Sequence, residues 1–166
     1  MPLAYIGLGS NLGDRLGQMR RALELLRQRD DVRVLRTSPV YQNRAVGMGE
    51  AAGDFLNAVA ELRSMLPPLD LLDACLEVER RLGRNRTTEG WRPRTIDLDI
   101  LFYEGVAMQE ERLTLPHPRI AERDFVAVPL ADLVPELEIE GQTARQMARS
   151  LPQNELRAHS DKLSHL

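Results

Sequence analysis

The chain has 166 residues, 43% of them hydrophobic and 28% charged, and a formal net charge of −3. That length suits one domain able to bury its own core, and no apolar run approaches the roughly 20 residues that cross a bilayer. A mildly acidic chain without a basic run is poorly matched to a nucleic-acid backbone, and the single cysteine, Cys75, excludes an internal disulfide or a cysteine cluster for zinc.

The opening residues MPLAYIGLGS carry no basic start of a secretory signal and run directly into a strand over Leu3 to Gly9, so a cytoplasmic protein is expected. Asp14 can cap a helix on which Leu16, Met19, Leu23 and Leu26 follow helical spacing and which ends near Asp30. Val32 to Tyr41 reads as strand, with Ser38-Pro39 marking an edge or bulge. Residues 42–53 hold three glycines and no period and read as a mobile loop; Phe55 to Leu62 returns to strand. Pro67 and Pro68 open a second helix to about Leu82, stopped at Gly83. Its apolar stripe is expected to be Leu72, Leu76 and Leu82 with Glu79 in the middle, and Cys75 is expected to be buried.

A charged loop from Arg84 to Pro93 leads into a strand from Thr95 to Tyr103, and Glu104-Gly105 reads as a hairpin turn into Val106 to Gln109. Ile120 to Leu133 reads as helix broken near Pro129, followed by a small strand pair around Glu140-Gly141, a short helix and a frayed polar tail after about Pro152. Short links between adjacent strands favour one α+β domain over 1–166, a sandwich with a mainly antiparallel sheet covered by helices.

The stretch WRPRTIDLDILF carries the chemistry. With a period of two, Ile96, Leu98, Ile100 and Phe102 share one face of a strand and Asp97 and Asp99 the other. Residues two apart lie roughly 6.5–7 Å apart along a strand, a spacing that can bracket a pair of hard cations. Taken alone, such a pair reads first as a solvated polar face. Its surroundings shift that reading, because Arg84, Arg86, Arg92 and Arg94 precede it and Arg112, His117, Arg119 and Arg123 follow. Guanidinium forks match phosphate oxygens, so a magnesium-bearing polyphosphate would meet acid on one side and arginine on the other. Prolines on both sides stiffen the backbone at His117. The turn GLGSNLGD fits neither a P-loop nor G-x-G-x-x-G and reads as structural. Phe55 and Phe125 are either core or a clamp for a flat heterocycle.

Five blocks, YIGLGSNLGD, FLNAVAEL, ExxLGR, WRPRTIDLDILFY and LTLPHPRIAERDFV, together resemble the 6-hydroxymethyl-7,8-dihydropterin pyrophosphokinases of folate synthesis, from about Ala4 to Pro135. The resemblance implies a ferredoxin-like fold and transfer of the β,γ-pyrophosphoryl group of ATP to the pterin hydroxymethyl oxygen with release of AMP. It implies two magnesium ions on Asp97 and Asp99, which with Arg84 and Arg94 would be the catalytic set. Arg84, Trp91, Arg94, Arg112, Thr114, His117 and Arg123 would contact ATP, and Val46, Phe55, Asn57 and Phe125 the pterin. Its partners would be these small molecules, with neither nucleic acid nor membrane, and the protein would be a monomer. A paralogue that binds nucleotide or pterin without turnover is the alternative. The segment from Tyr41 to Gly47, YQNRAVG, departs from the aromatic-Arg-Thr-Pro-Pro-Leu-Gly type of that family, and Arg92 stands where a glycine is usual.

Overall fold

Alternation of side chains over Leu3–Ser10 builds β1, which needs apolar cover on both faces because Ile6 and Leu8 point one way and Tyr5 the other. The structure is a computed structural model and describes residues 1–11, 13–43, 55–83, 96–152 and 156–158. Asp14 caps α1 (Arg15–Arg27) as the sequence predicts, its Oδ1 accepting the Gly17 N–H at 3.1 Å. Met19, Ala22, Leu23 and Leu26 on that helix are fully buried; burial of a leucine of this kind contributes about 1.5–3 kcal/mol.

β2 (Val32–Thr37) and β3 (Tyr41–Asn43) lie end to end along β4 (Phe55–Ser64), both antiparallel to it. Proline splits them, and Ser38 fills the gap: its N–H donates to Val59 O and its Oγ accepts the Val59 N–H, each at 2.8 Å. Gln42 and Asn43 therefore belong to a strand, whereas the sequence suggests a loop; the rest of that expected loop lies outside the described residues.

In α2 (Pro68–Arg81) the buried face is Leu71, Ala74, Cys75, Val78 and Glu79. This corrects the expected stripe: Leu72 and Leu76 flank it and are only partly covered, because the sheet meets the helix one residue round from them. Burial pushes the Cys75 thiol up to about 12, with the charges of Glu79 and Asp99 adding to the effect, so it is inert. Gly83 ends the helix at φ 97°, a backbone state that suits glycine.

β5 (Asp97–Tyr103) completes the main sheet, whose order is β10 (Arg157–Ala158), β3, β4, β1, β5, with β2 also on β4 and every pairing antiparallel. α1 and α2 cover one face. A 3-10 turn at Ile120–Glu122, α3 (Asp124–Leu133) and α4 (Ala144–Arg149) cover the other. The expected α+β sandwich is thus observed. Its connectivity, β1-α1-(β2,β3)-β4-α2-β5, is that of a ferredoxin-like fold.

Four local expectations change. The strand after Gly105, β6 (Met108–Gln109), pairs with β7 (Thr114–Leu115) rather than folding back on β5. The helix near Ile120 breaks at Arg123, which is extended at φ −119° and ψ 107°, while Pro129 stays inside α3. Phe102 leaves the Ile100 face, because a bulge shifts the register between Tyr5 and Ile6 and turns both Leu101 and Phe102 toward α3 and α4. The tail is not wholly frayed: after β8 (Glu138–Ile139), β9 (Gln142–Thr143) and α4, the segment β10 (Arg157–Ala158) pairs with Gln42 and Tyr41 of β3.

On the α3 side the Glu61 carboxylate is 6% exposed and must be satisfied. Tyr5 OH donates to its Oε2 at 2.7 Å, and the Arg36 fork donates to both oxygens at 3.0 Å. The Arg36 bonds hold its carboxyl below the usual value despite burial, with the Tyr5 bond helping. A depressed folded value means stability that is fully present above the ordinary glutamate range and is lost as the pH falls from there through the depressed value. Tyr5→Phe should therefore cost about 1 kcal/mol at pH 7 and less at pH 3, as read from urea denaturation at the two pH values. An equal loss at both would show that the bond does not depend on the ionised carboxylate.

Candidate functional site

β1 runs between β4 and β5, and at Gly9 it leaves a bare point between polar side chains on the two flanking strands. Gly9 pairs with Asn57 on one side and Asp97 on the other; Gly7 pairs with Val59 and Asp99. Tyr41 of β3 extends the first row beyond Asn57. Adjacent strands stand about 4.8 Å apart, so Asn57 and Asp97 face each other across roughly 10 Å with no side chain between them. The fit is tight at the upper position: a Cβ on Gly9 would come to 3.3 Å from Asn57 Oδ1, which would have to give by a few tenths of an ångström. At Gly7 the nearest atom to such a Cβ is Leu101 Cδ2 at 3.6 Å, an ordinary contact.

Asp97 and Asp99 are half-buried and project on the α3 face, away from Leu98 and Ile100, as alternation predicts. Their strand is an edge of the sheet, and other elements hold that edge. From α2, Glu79 is 1% exposed and its Oε2 accepts the N–H of Leu98, the amide between the two aspartates, at 2.8 Å. Further along, the His117 N–H donates to Leu101 O at 2.8 Å, in the segment after the cis Leu115–Pro116 peptide. Those bonds fix the strand that carries the carboxylates and bring His117 beside it.

His117 Nδ1 accepts the Arg119 N–H at 3.2 Å, so a neutral ring carries its proton on Nε2. Burial, then the charges of Arg123 and Arg119, hold this histidine below its ordinary value, while Asp97 pulls it upward. A neutral imidazole with a free Nε2–H is a donor for an anionic oxygen.

Arg123 caps α3 and sets its guanidinium 5.7 Å from the centroid of the Phe125 ring. Phe125 lies in the first turn of α3, a helix that packs against β3 and β4, and Phe55 begins β4 two residues before Asn57. Both rings are half-buried, so neither is committed to the core. Arg112 follows β6 and pairs with Asp73 of α2, and Thr114 lies on β7; both are set on the β6–β7 side of β5. Val46, Arg84, Trp91 and Arg94 lie outside the described residues, as do Arg86 and Arg92.

The donor set around Asp97 and Asp99 is oxygen, the ligand type of magnesium. Among the described residues no group of three or more His, Cys, Asp or Glu side chains gathers at one point. Two carboxylates without a full protein cage fit an ion that keeps most of its positions for water and substrate phosphates. What the site offers is therefore a polar and aromatic slot near Asn57, a carboxylate pair near Asp97, and cationic or neutral donors along the edge from His117 to Arg123.

Residues 5–135 match the family model of 7,8-dihydro-6-hydroxymethylpterin-pyrophosphokinase, HPPK. The chain belongs to this family. Its similarity to curated HPPK proteins runs over nearly the whole length: 43% identity over 152 residues with 2-amino-4-hydroxy-6-hydroxymethyldihydropteridine pyrophosphokinase of Methylorubrum extorquens, covering 91% of this chain and 94% of that one. The Bacillus subtilis protein of the same name is 42% identical over 142 residues, covering 86% and 84%. Among solved structures, a Plasmodium falciparum HPPK-DHPS triple mutant superposes with a TM-score of 0.68 at 13% identity, covering 90% of this chain; this chain spans 43% of that longer one. At that identity the likeness bears on the fold, and it agrees with the HPPK arrangement of sheet and helices.

Two features of this candidate site escape a reading of the sequence. The strand over Leu3 to Gly9 is as the sequence predicts, but nothing in it shows that Gly9 lies between Asn57 and Asp97 and leaves the space between them without a side chain. Asn43 reads as loop, whereas its side chain meets Asn57. Alternation in β1 could have flagged the glycines, since both fall on the Tyr5 face; no local signal marks Asn43.

Proposed function

We propose that the protein transfers the pyrophosphoryl group of ATP to the hydroxymethyl oxygen of 6-hydroxymethyl-7,8-dihydropterin, forming the pterin diphosphate and AMP for folate biosynthesis. Family membership and the relatives named as pyrophosphokinases support this reading. The single structural observation that carries it is the row Asn57–Gly9–Asp97, in which a buried amide and a half-buried carboxylate stand two strand spacings apart with only a glycine between them. Phe55 and Phe125 would stack on the pterin, with Asn57 and Val46 at its polar edge. Arg123 and His117 would meet the phosphates, with Arg112 and Thr114 near the nucleotide. Arg84, Trp91 and Arg94 complete the nucleotide set by resemblance.

In the reaction the pterin oxygen attacks the β-phosphorus, the bond from that phosphorus to the oxygen bridging to the α-phosphorus breaks, and AMP leaves with the bonding pair while the hydroxyl proton passes to solvent. Such transfers depend on positioning and charge neutralisation more than on covalent help. Asp97 and Asp99 would hold two magnesium ions, which when bound neutralise the phosphates and favour loss of the hydroxyl proton. Neutral His117 donates from Nε2, and the guanidiniums oppose the charge that develops on the leaving side. The whole chain is read as one such domain, working as a cytoplasmic monomer on small molecules; no helix among the described residues is long and apolar enough to cross a membrane.

Release of AMP from ATP tests the proposal. With protein, magnesium and ATP, AMP should form only when hydroxymethyldihydropterin is added and in a one-to-one ratio with pterin diphosphate. Binding of pterin without AMP would support the non-catalytic alternative instead.

A further inference from the structure

Asn57 is a buried amide, 6% exposed, lying in the middle of the sheet between Tyr41 of β3 and Gly9 of β1. A carboxamide has two N–H donors and one acceptor oxygen, and its two ends differ only by a half-turn about one bond. Which end faces a ligand decides whether the site offers a donor or an acceptor at a given point. Buried, the group must also be satisfied by protein or ligand.

The side chain that meets its nitrogen end is Asn43. Asn43 pairs with Phe55 on the register of β3 and β4, so it stands diagonal to Asn57 on the same face, within side-chain reach. Asn57 Nδ2 donates to Asn43 Oδ1. Its own Oδ1 is turned the other way, above Gly9, where an added Cβ would come within 3.3 Å of it. The amide is thus held with its nitrogen end toward β3 and its oxygen end toward β1 and Asp97.

We infer that Asn43 is a positioning residue that sets substrate specificity by fixing the sense of the Asn57 carboxamide, so that Asn57 presents its acceptor oxygen and its second N–H to the amide-like edge of the heterocycle. This rests on the pterin reading of the Asn57 slot. Without an acceptor at residue 43 the carboxamide can turn over and show the wrong pattern for part of the time. The ligand then binds only the correctly turned fraction, and affinity falls in proportion. ATP, held at the other end of the row, does not meet this amide.

Three variants decide it. Asn43→Leu fills similar space without an acceptor, Asn43→Ala removes the side chain, and Asn43→Asp keeps an oxygen that can only accept and so holds Nδ2 in place. Steady-state assays following AMP, run beside thermal melts, should give a pterin KM raised about two- to threefold in the Leu and Ala variants, as the correctly turned fraction falls from nearly all to about half or less. Their kcat and ATP KM should stay at the wild-type values, and Asn43→Asp should keep a pterin KM at the wild-type value. If the Leu variant does not fold, Ala carries the same comparison with Asp. An unchanged pterin KM in the acceptor-less variants, an equal rise in the Asp variant, or a parallel rise in ATP KM would each overturn the assignment while leaving the pyrophosphokinase reading intact. Wild-type protein without pterin-dependent AMP would overturn both.

Discussion

Asp97→Asn and Asp99→Asn should each lower pterin-dependent AMP release by about 100- to 1000-fold, the loss expected when one preorganised group facing developing charge is removed. Both carboxylates leave the same face of β5, across from Gly9 and Gly7, and both are half-buried rather than part of the core. Asn keeps the size and one acceptor oxygen but loses the charge that a hard cation needs. Folding stability should fall far less than turnover, as thermal melts on the same preparations check. Raising magnesium should recover part of the activity, because weakened binding is what has been lost. An Asp97→Asn protein with unimpaired turnover at ordinary magnesium would remove Asp97 from the reaction.

Glu79→Leu should cost about 2–3 kcal/mol and lower turnover as well, whereas Glu79→Gln should cost about 1 kcal/mol or less. The Leu98 N–H is buried at the edge of the sheet, where no further main-chain strand takes it among the described residues, and the Glu79 carboxylate accepts it at 2.8 Å. Removing the acceptor strands a buried donor; glutamine leaves an oxygen in nearly the same place. Since Leu98 lies between Asp97 and Asp99, loosening its amide also loosens the spacing of the two carboxylates. In a chain of this length the stability loss corresponds to about 5–10 °C in the melting midpoint. Urea denaturation with kcat measured on the same preparations checks both halves. A leucine variant as stable and as active as wild type would show that the buried carboxylate does not hold β5.

The candidate site was unevenly legible. Asp97 and Asp99 could be placed on one face of a strand because alternation is a local property of extended backbone, and Asp14 could be named as a cap because the donor it satisfies, the Gly17 N–H, is three residues away. Glu79 could be singled out as a carboxylate on the sheet-facing side of α2, but its partner could not, since Leu98 is 19 residues on and across a helix-to-sheet interface. The stripe around it was misjudged by one position for the same reason: Leu71 and Leu72 are equally apolar, and only the sheet chooses between them. Phe102 was placed on the wrong face because the bulge against Tyr5 is a property of the β1–β5 pair, not of either strand alone.

By itself, then, the order of residues determined the main strands and helices, where Asp14 and Gly83 bound two of them, that Cys75 is buried, that two carboxylates share a face near cationic groups, and, through five ordered blocks, the family. Tertiary structure alone decided that Gly9 lies between Asn57 and Asp97, that Asn43 turns the Asn57 amide, that Glu79 holds the Leu98 N–H, and that Arg157–Ala158 closes on β3. The division follows from range. Periodicity and caps arise between residues two to four apart and are written in any short window, whereas register joins residues such as Gly9 and Asp97 that meet only when the whole sheet has formed.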